Sequence, residues 1–358
     1  MKKIFQLLLI MILLASTIMI TNGATNEPSN AYVVNSIKYM SNITGTIMNS
    51  IKIDSVTPLY DINNNINAYC IDFTHKSNGQ QGYIILSNIE GDEPILEYSE
   101  DSNSGIGTIK LNKTEKFVYI SAGTVYKYNQ ETLISVFDGT EISQEAVEEF
   151  KKTYEIELTN DSTKAKKLKE MLQNSNIDVD LSNSFMLAAS TNKIISGVAD
   201  YGWYKGCAPT SAAMVLNYHF PTTLPTGNTL IEELAVEMST NSSGGTSISN
   251  IPVGISNVVS NHGLYINTYN DGAGRSSSTF TEFQSEINSY NPVIVNLIGS
   301  TATSGSYPNG FGNHSMAGVG YSTYGSQYLI VHTTGREGNV YINFDSVSLG
   351  TNYWTYVK

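Results

Sequence analysis

Cys207 is one of two cysteines in the 358-residue chain, and the segment GCAPTSAAMVLNYHF around it favours a reactive thiol. Gly206 allows the backbone to turn sharply, since glycine has no β-carbon to restrict φ. Pro209 is tolerated in the first turn of a helix, the apolar run after it continues that helix, and Pro221 ends it. Cys207 is therefore expected at a helix N-terminus, where unpaired N–H groups and the helix dipole stabilise a thiolate.

A thiol nucleophile needs a base, and the second half of the chain offers His314. It precedes the small-residue alternating segment SMAGVGY, which predicts a strand with the imidazole at its head. A cysteine on a helix and a distant histidine on a strand, adjacent only after folding, are typical of nucleophilic catalysis. His332, at the end of YLIVH, is the rival base. His219 and His262 are interpreted as structural residues of a helix end and a loop.

These motifs resemble a known family. GCAPTSAAMVLNYH, NHSMAGVGYS and YLIVHTT are similar to the papain-like cysteine peptidases, nearest to the bacterial C39-like group, over about residues 195–344. The resemblance implies an α+β domain with a helical layer on a twisted antiparallel sheet. It also implies that Cys207 attacks a peptide carbonyl, that His314 acts as the base, and that no cofactor is needed.

The sequence departs from the family pattern where the histidine-orienting group is expected. Relatives commonly carry Asp or Asn directly after the last histidine of this strand, whereas here Thr333 follows His332. A threonine hydroxyl can accept a hydrogen bond from an imidazole, but it stabilises an imidazolium less well than a carboxylate does. Asn339 and Asn343 are alternative orienting residues, and the sequence leaves the choice open.

A second departure concerns the oxyanion-binding group. Relatives often place a glutamine about six residues before the cysteine, and here that position is Tyr201. The backbone N–H of Cys207 and a group from residues 200–203 are the remaining candidate donors. Loss of one such donor typically costs about a hundredfold or more in rate. Weak or altered activity is therefore one of the outcomes that the sequence leaves open.

The first 23 residues read as a secretory signal. Lys2 and Lys3 precede an uncharged apolar run, and small residues at positions 21–24 offer a cleavage site. An uncleaved membrane anchor is the competing interpretation. The expected location is secreted, extracellular or at the cell surface, with no stable membrane insertion once the signal is removed.

Charge and cysteine content narrow the set of partners. The formal net charge is −12 and no cluster of basic residues is present, which argues against nucleic acid. Cys70 and Cys207 lie in different halves of the chain, so a disulfide framework is not expected, although a single bridge between them remains open. The scattered histidines give no metal-ligand spacing. A protein or peptide substrate is the expected partner.

Residues 24–190, here called the N-terminal unit, predict a small α+β domain. His75 is interpreted as a surface loop residue. Two stretches, residues 82–87 and 94–99, resemble the pro-domain of streptopain-type zymogens, which implies an intramolecular inhibitor; a permanent accessory domain is the alternative. Five short strands are predicted at residues 53–59, 68–73, 81–87, 94–99 and 106–111, helices at 143–154 and 164–173, and a polar linker at 174–192.

Residues 191–358, the C-terminal unit, predict the peptidase-like α+β domain. Helices come first, at 207–220, 230–238, 254–262 and 280–290, and strands follow at 291–298, 313–321, 327–332 and 339–344. The segment at 291–298 is apolar on both faces, which indicates a central strand. Loops 241–246 and 299–312 are candidates to line the groove.

Taken together, the sequence predicts a secreted cysteine endopeptidase made as an inactive precursor. Two alternatives remain. One is an amidase or transferase acting on cell-wall peptides, and the other is a non-catalytic surface or binding protein on a degenerate peptidase fold.

Overall fold

The computed structural model describes residues 27–46, 51–129, 131–137, 139–153, 163–174, 191–271, 278–298, 313–346, 349 and 351–358. The predicted signal, most of the predicted linker and all of loop 299–312 lie outside these residues. The helices are α1 Asn30–Thr44, α2 Gln144–Thr153, α3 Thr163–Gln173, α4 Cys207–His219, α5 Asn228–Glu237, α6 Asn250–Asn261 and α7 Phe280–Asn288. The strands are β1 Ile51–Tyr60, β2 Ile66–His75, β3 Gln81–Ser87, β4 Ile95–Ser99, β5 Lys116–Ser121, β6 Thr124–Tyr128, β7 Leu133–Ser135, β8 Glu141–Ile142, β9 Asn192–Ile194, β10 Thr268–Asn270, β11 Val293–Ile298, β12 His314–Ser322, β13 Tyr328–His332, β14 Val340–Asn343 and β15 Thr351–Val357.

The C-terminal unit is an antiparallel sheet with helices packed on it. Strands run in the order β10, β15, β11, β12, β13, β14, with β9 also paired to β12. Helix α4 packs on β11 and β12, and α7 packs on the same two strands. The predicted central strand is confirmed, because β11 pairs with β15 on one side and β12 on the other. This mixed α/β layout is compatible with a papain-like fold.

The N-terminal unit has a sheet of its own, in the order β4, β3, β2, β1, β5, β6, β7, β8. Its pairs are antiparallel except β1 with β5, which are parallel. Helix α2 covers a small apolar cluster that includes Val118, Leu133, Ala146 and Val147. Helix α1, which the sequence analysis missed, buries Ile37 and Met40 completely.

Two sequence expectations for this unit were wrong. Residues 106–111 form turns rather than a strand, because the preceding loop is held by the Asp72 carboxylate, which accepts hydrogen bonds from the Ser104 N–H at 2.7 Å and the Ser104 hydroxyl at 2.9 Å. His75 is a buried residue at the end of β2, only 4% exposed, with its ring 5.4 Å edge-on from that of Phe73.

The two units share one sheet. β4 pairs antiparallel with β14, placing Tyr98 opposite Tyr341 and Glu97 opposite Ile342. The main hydrophobic core runs through both units. The Glu93 carboxylate also accepts a hydrogen bond from the Ser326 hydroxyl at 2.9 Å across the boundary. The N-terminal unit is thus built into the sheet that carries His314.

No helix among the described residues is long and apolar enough to cross a membrane.

Candidate active site

Cys207 is the first residue of α4 and is partly exposed. Gly206 precedes it with φ 150°, and a β-carbon there would stand 2.6 Å from the Gly244 carbonyl oxygen. Only glycine fits this turn, because any side chain would collide with backbone. Thr210 anchors the turn by donating from its hydroxyl to the Gly206 carbonyl at 2.7 Å. The sulfur therefore stands at the positive end of a helix dipole, which favours an anion.

Ser211 joins the cysteine helix to the histidine strand. Its buried hydroxyl lies 2.7 Å from the carbonyl oxygen of Cys207 and 2.8 Å from that of Ser315. Ser315 follows His314 directly, and its own hydroxyl donates to the Asn296 side-chain oxygen at 2.7 Å on the neighbouring strand. One hydroxyl thus sets the start of α4 against the start of β12. The role of Ser211 could not be predicted, because a serine in a helix interior carries no sequence signal of a partner on a distant strand.

His314 is oriented by a main-chain carbonyl. Its Nε2 lies 2.6 Å from the carbonyl oxygen of Thr333. A carbonyl oxygen can only accept, so Nε2 carries the hydrogen, and Nδ1 is the nitrogen that gains or loses a proton. The sequence had suggested the Thr333 hydroxyl for this role. That hydroxyl instead accepts a hydrogen bond from the Arg336 N–H at 3.0 Å.

The loop after β13 holds this carbonyl in place. Thr333 and Thr334 are both buried, and Thr334 has φ 64°. A left-handed conformation is unusual for a β-branched residue and stores backbone strain. The hydrogen bond from the Arg336 N–H to the Thr333 hydroxyl spans Thr334 and so closes this loop around the strained residue.

The side chain of one alternative orienting residue, Asn343, is engaged elsewhere. The Asn343 side-chain amide donates to the Ile95 carbonyl at 2.9 Å, and its oxygen accepts from the Asp345 N–H at 2.9 Å. The Asn339 backbone N–H donates to the Asp101 carboxylate at 3.1 Å, and the side-chain oxygen of Asn339 is buried without a hydrogen-bond partner among the described residues. Both asparagines therefore contribute to the boundary with β4 or to local turns.

The other three histidines of the C-terminal unit have different surroundings. His332 Nδ1 lies 3.0 Å from the Ala199 carbonyl oxygen, which fixes the rival base against the start of the C-terminal unit. His262 Nε2 lies 2.8 Å from a Glu233 carboxylate oxygen on the surface. His219 lies at the end of α4, and burial lowers its pKa. The structural roles of His219 and His262 and the role of His332 as the rival base stay predictions.

Tyr201 lies partly buried against the hydrophobic core before the cysteine helix. Its neighbour Asp200 accepts a hydrogen bond from the Gly338 N–H at 2.6 Å. Trp203 contacts the loop that packs on Gly206, since a β-carbon on Gly244 would be 2.7 Å from the Trp203 ring. Trp203 thus reaches the loop beside the start of α4, and the Tyr201 oxyanion role stays a prediction.

The N-terminal unit reaches the histidine through the turn between β5 and β6. A β-carbon on Gly123 would stand 3.1 Å from His314 Cδ2 and 3.4 Å from Met316 Sδ. The Gly123 N–H donates to a Glu97 carboxylate oxygen at 2.7 Å, and the Tyr119 hydroxyl donates to the same oxygen at 2.9 Å. The turn is therefore held against the imidazole by a buried carboxylate. Gly123 was missed because a glycine in a hairpin turn looks like any other turn residue.

Neither cysteine is in a disulfide, so the bridge left open by the sequence is not formed. Cys70 is completely buried in β2, and that burial raises the pKa of its thiol. Within the described ranges, no group of three or more His, Cys, Asp or Glu side chains is arranged to hold a metal ion.

A comparison with protein families adds an independent observation. Residues 189–358 match the sequence model of the Peptidase_C39 like family. The matched span begins at the boundary between the two units and includes both Cys207 and His314. A comparison with curated proteins found no match. The family match supports a C39-like cysteine peptidase family for the C-terminal unit.

Proposed function

We propose that this protein is a secreted cysteine endopeptidase made as a zymogen, in which Cys207 and His314 carry out the hydrolysis of peptide bonds. The observation that carries the proposal is the Ser211 hydroxyl, which lies within 2.8 Å of the carbonyls of both Cys207 and Ser315. It sets a partly exposed thiol at a helix start against the strand that begins with the imidazole.

The chemistry follows from the hydrogen on Nε2. The thiolate of Cys207 attacks the peptide carbonyl carbon, and the carbonyl electrons move to its oxygen. As the intermediate collapses, the C–N bond breaks and His314 gives its Nδ1 proton to the leaving amine. His314 then takes a proton from water, whose oxygen attacks the thioester. Cleavage of the thioester releases the new carboxyl group and restores the thiolate, with the proton back on Nδ1.

Two groups tune this reaction. The carbonyl of Thr333 carries no net charge, so it orients the imidazole but stabilises the imidazolium less than a carboxylate would. The oxyanion is assigned to the backbone N–H of Cys207 and a donor from residues 200–203, with Tyr201 as the candidate side chain. Both features favour a slower enzyme than relatives that have a carboxylate or amide and a glutamine in these places.

The N-terminal unit is proposed as the intramolecular inhibitor, a pro-domain of the streptopain type. The turn at Gly123 lies on the His314 ring, and the Glu97 carboxylate holds that turn. A substrate could not occupy the same space beside the imidazole. Cleavage within residues 175–190 and departure of the turn would open the site. The apolar leader at residues 1–23 is the basis for proposing secretion.

The test compares matched cysteine variants of the secreted full chain. Casein hydrolysis is measured before and after limited proteolysis of the segment at 175–190. We expect the wild type and Cys70→Ala to gain activity on cutting, and Cys207→Ala to stay inactive. Equal activity of Cys207→Ala and wild type would end the proposal.

A permanent partner domain is the second candidate for the N-terminal unit, and the continuous sheet through β4 and β14 favours it. N-terminal sequencing of the secreted product separates the two. A mature start near residues 185–196 supports the zymogen, whereas a start near residue 24 supports the permanent domain.

A further inference from the structure

Arg336 is a buried cation of the C-terminal unit whose described charged and aromatic neighbours all belong to the N-terminal unit. Its guanidinium is 3.2 Å from a Glu97 carboxylate oxygen and donates to the Tyr83 hydroxyl. The rings of Tyr83 and Phe137 lie over it, with centroids 4.4 Å and 4.3 Å away. Only 8% of the residue is exposed. The N-terminal unit therefore supplies the ion-pair partner of this guanidinium and the rings that lie over it.

Among the described residues, the C-terminal unit provides no hydrogen-bond partner for the guanidinium. Arg336 contacts its own unit through its backbone, by hydrogen bonds with Thr333. Its Nε and Nη2 have no hydrogen-bond partner among the described residues. If the N-terminal unit leaves, a full positive charge with five N–H donors remains at the surface without a described counter-charge. Such a group pairs with carboxylates in a planar, two-point geometry.

Arg336 also lies close to the reaction centre. It bonds to Thr333, and the Thr333 carbonyl accepts the hydrogen bond of His314. On the other side, the Glu97 carboxylate that pairs with Arg336 also holds Gly123 on the His314 ring. The Glu97 carboxylate therefore connects Arg336 to the turn that lies on the imidazole.

We propose that Arg336 is a specificity-determining residue that binds an acidic side chain of the substrate, and that Glu97 occupies this subsite in the intact chain. This inference rests on the proposed function, because it assigns the substrate class of the same site. A peptide carrying Glu or Asp at the position that faces Arg336 restores the ion pair lost with Glu97. A neutral side chain at that position leaves the guanidinium without its partner.

The test uses the full chain cut within residues 175–190, with both fragments present in the assay and their separation measured by size-exclusion chromatography. Fragments that stay bound after cutting would keep Glu97 on Arg336 and would also overturn the inference. The substrates are one neutral peptide in which a single position at a time carries Glu, Gln or Lys. Hydrolysis gives kcat/KM, and fluorescence anisotropy with the Cys207→Ala protein gives binding without turnover. Two double variants keep the buried pair matched. Arg336→Glu with Glu97→Arg reverses it, and Arg336→Met with Glu97→Gln replaces it by neutral groups.

For the wild type we expect one position at which Glu is preferred over Gln by about tenfold, since a charge-assisted pair is lost with Gln. The reversed pair should prefer Lys at that same position, and the neutral pair should prefer neither. Equal kcat/KM and equal binding of Glu and Gln peptides by the wild type at every position would overturn the inference, leaving Arg336 as an anchor of the N-terminal unit. The same residue preference in wild type and reversed pair would also overturn it. If no peptide is hydrolysed, the peptidase proposal fails, and the binding data still decide the role of Arg336.

Discussion

Gly123 and His314 lie against each other across the boundary between the two units. A β-carbon on Gly123 would come within 3.1 Å of His314 Cδ2, and φ at Gly123 is 75°. The contact is close enough that a single added methyl group disturbs it. It therefore gives a direct way to test whether the N-terminal unit controls the site.

Gly123→Ala should weaken the packing of the β5–β6 turn against the His314 imidazole. The left-handed φ alone costs about 1–2 kcal/mol for an alanine, and the methyl group must also displace the ring. We expect a lower free energy of unfolding and a higher rate of peptide hydrolysis by the uncut chain. Gly79→Ala is the matched control, because Gly79 has φ 73° with nothing within 4 Å of the added carbon. Equal hydrolysis by the two uncut variants would argue against inhibition through this turn.

Ser211→Ala should separate the cysteine helix from the histidine strand. It removes the hydroxyl that serves two buried carbonyls, at a cost of about 1–2 kcal/mol in unfolding free energy. We expect a fall in kcat of the cut enzyme, because the two catalytic residues lose a shared support. Ser289→Ala is the control, since among the described residues the Ser289 hydroxyl bonds to the Ser285 carbonyl alone, on an exposed helix end. Urea unfolding and steady-state kinetics measure the two effects, and an unchanged kcat would remove Ser211 from the positioning role.

Thiol labelling should distinguish the two cysteines. Cys207 is partly exposed, whereas Cys70 is completely buried with a raised pKa. Because the thiolate is the reactive form, iodoacetamide should modify one thiol in the folded chain and two after denaturation. Mass spectrometry of the digested protein locates the label. Modification of Cys70 in the native state, at a rate similar to that of Cys207, would contradict the burial on which this prediction depends.

Stability should depend on His219 in mildly acidic solution. Burial lowers the pKa of His219, and its Nε2 is buried without a partner among the described residues. A lowered folded-state pKa means that the unfolded state takes up the proton first. His219 therefore contributes fully to the free energy of unfolding above its unfolded-state pKa of about 6.5. That contribution is lost as the pH falls through the folded-state pKa. His219→Gln should reduce the loss of unfolding free energy between pH 7.5 and 5.5, as measured by urea titration. His262→Gln serves as the control, and the same reduction in both variants would contradict the assignment.

Local signals in the sequence predicted a large part of this arrangement. Gly206, Pro209 and Pro221 indicate the start and end of the cysteine helix, and α4 spans Cys207–His219. The alternating small residues after His314 indicate β12, which begins at that residue. Strands 81–87 and 327–332 and helices 164–173 and 280–290 were predicted to within a few residues, because their apolar periodicity is strong. The helix at Asn30–Thr44 was missed, and residues 106–111 were wrongly expected as a strand.

The sequence by itself determined that a thiol stands at a helix start and an imidazole at a strand start, because turn chemistry and periodicity act over a few residues. The tertiary structure decided their partners. The Thr333 carbonyl, rather than its hydroxyl, accepts the hydrogen bond of His314. Ser211 joins α4 to β12, and Glu97 holds Gly123 against His314. These contacts connect segments far apart in the chain. Side-chain and main-chain oxygens are both possible acceptors for each donor. Only the packing of one sheet through both units brings those groups within hydrogen-bonding distance.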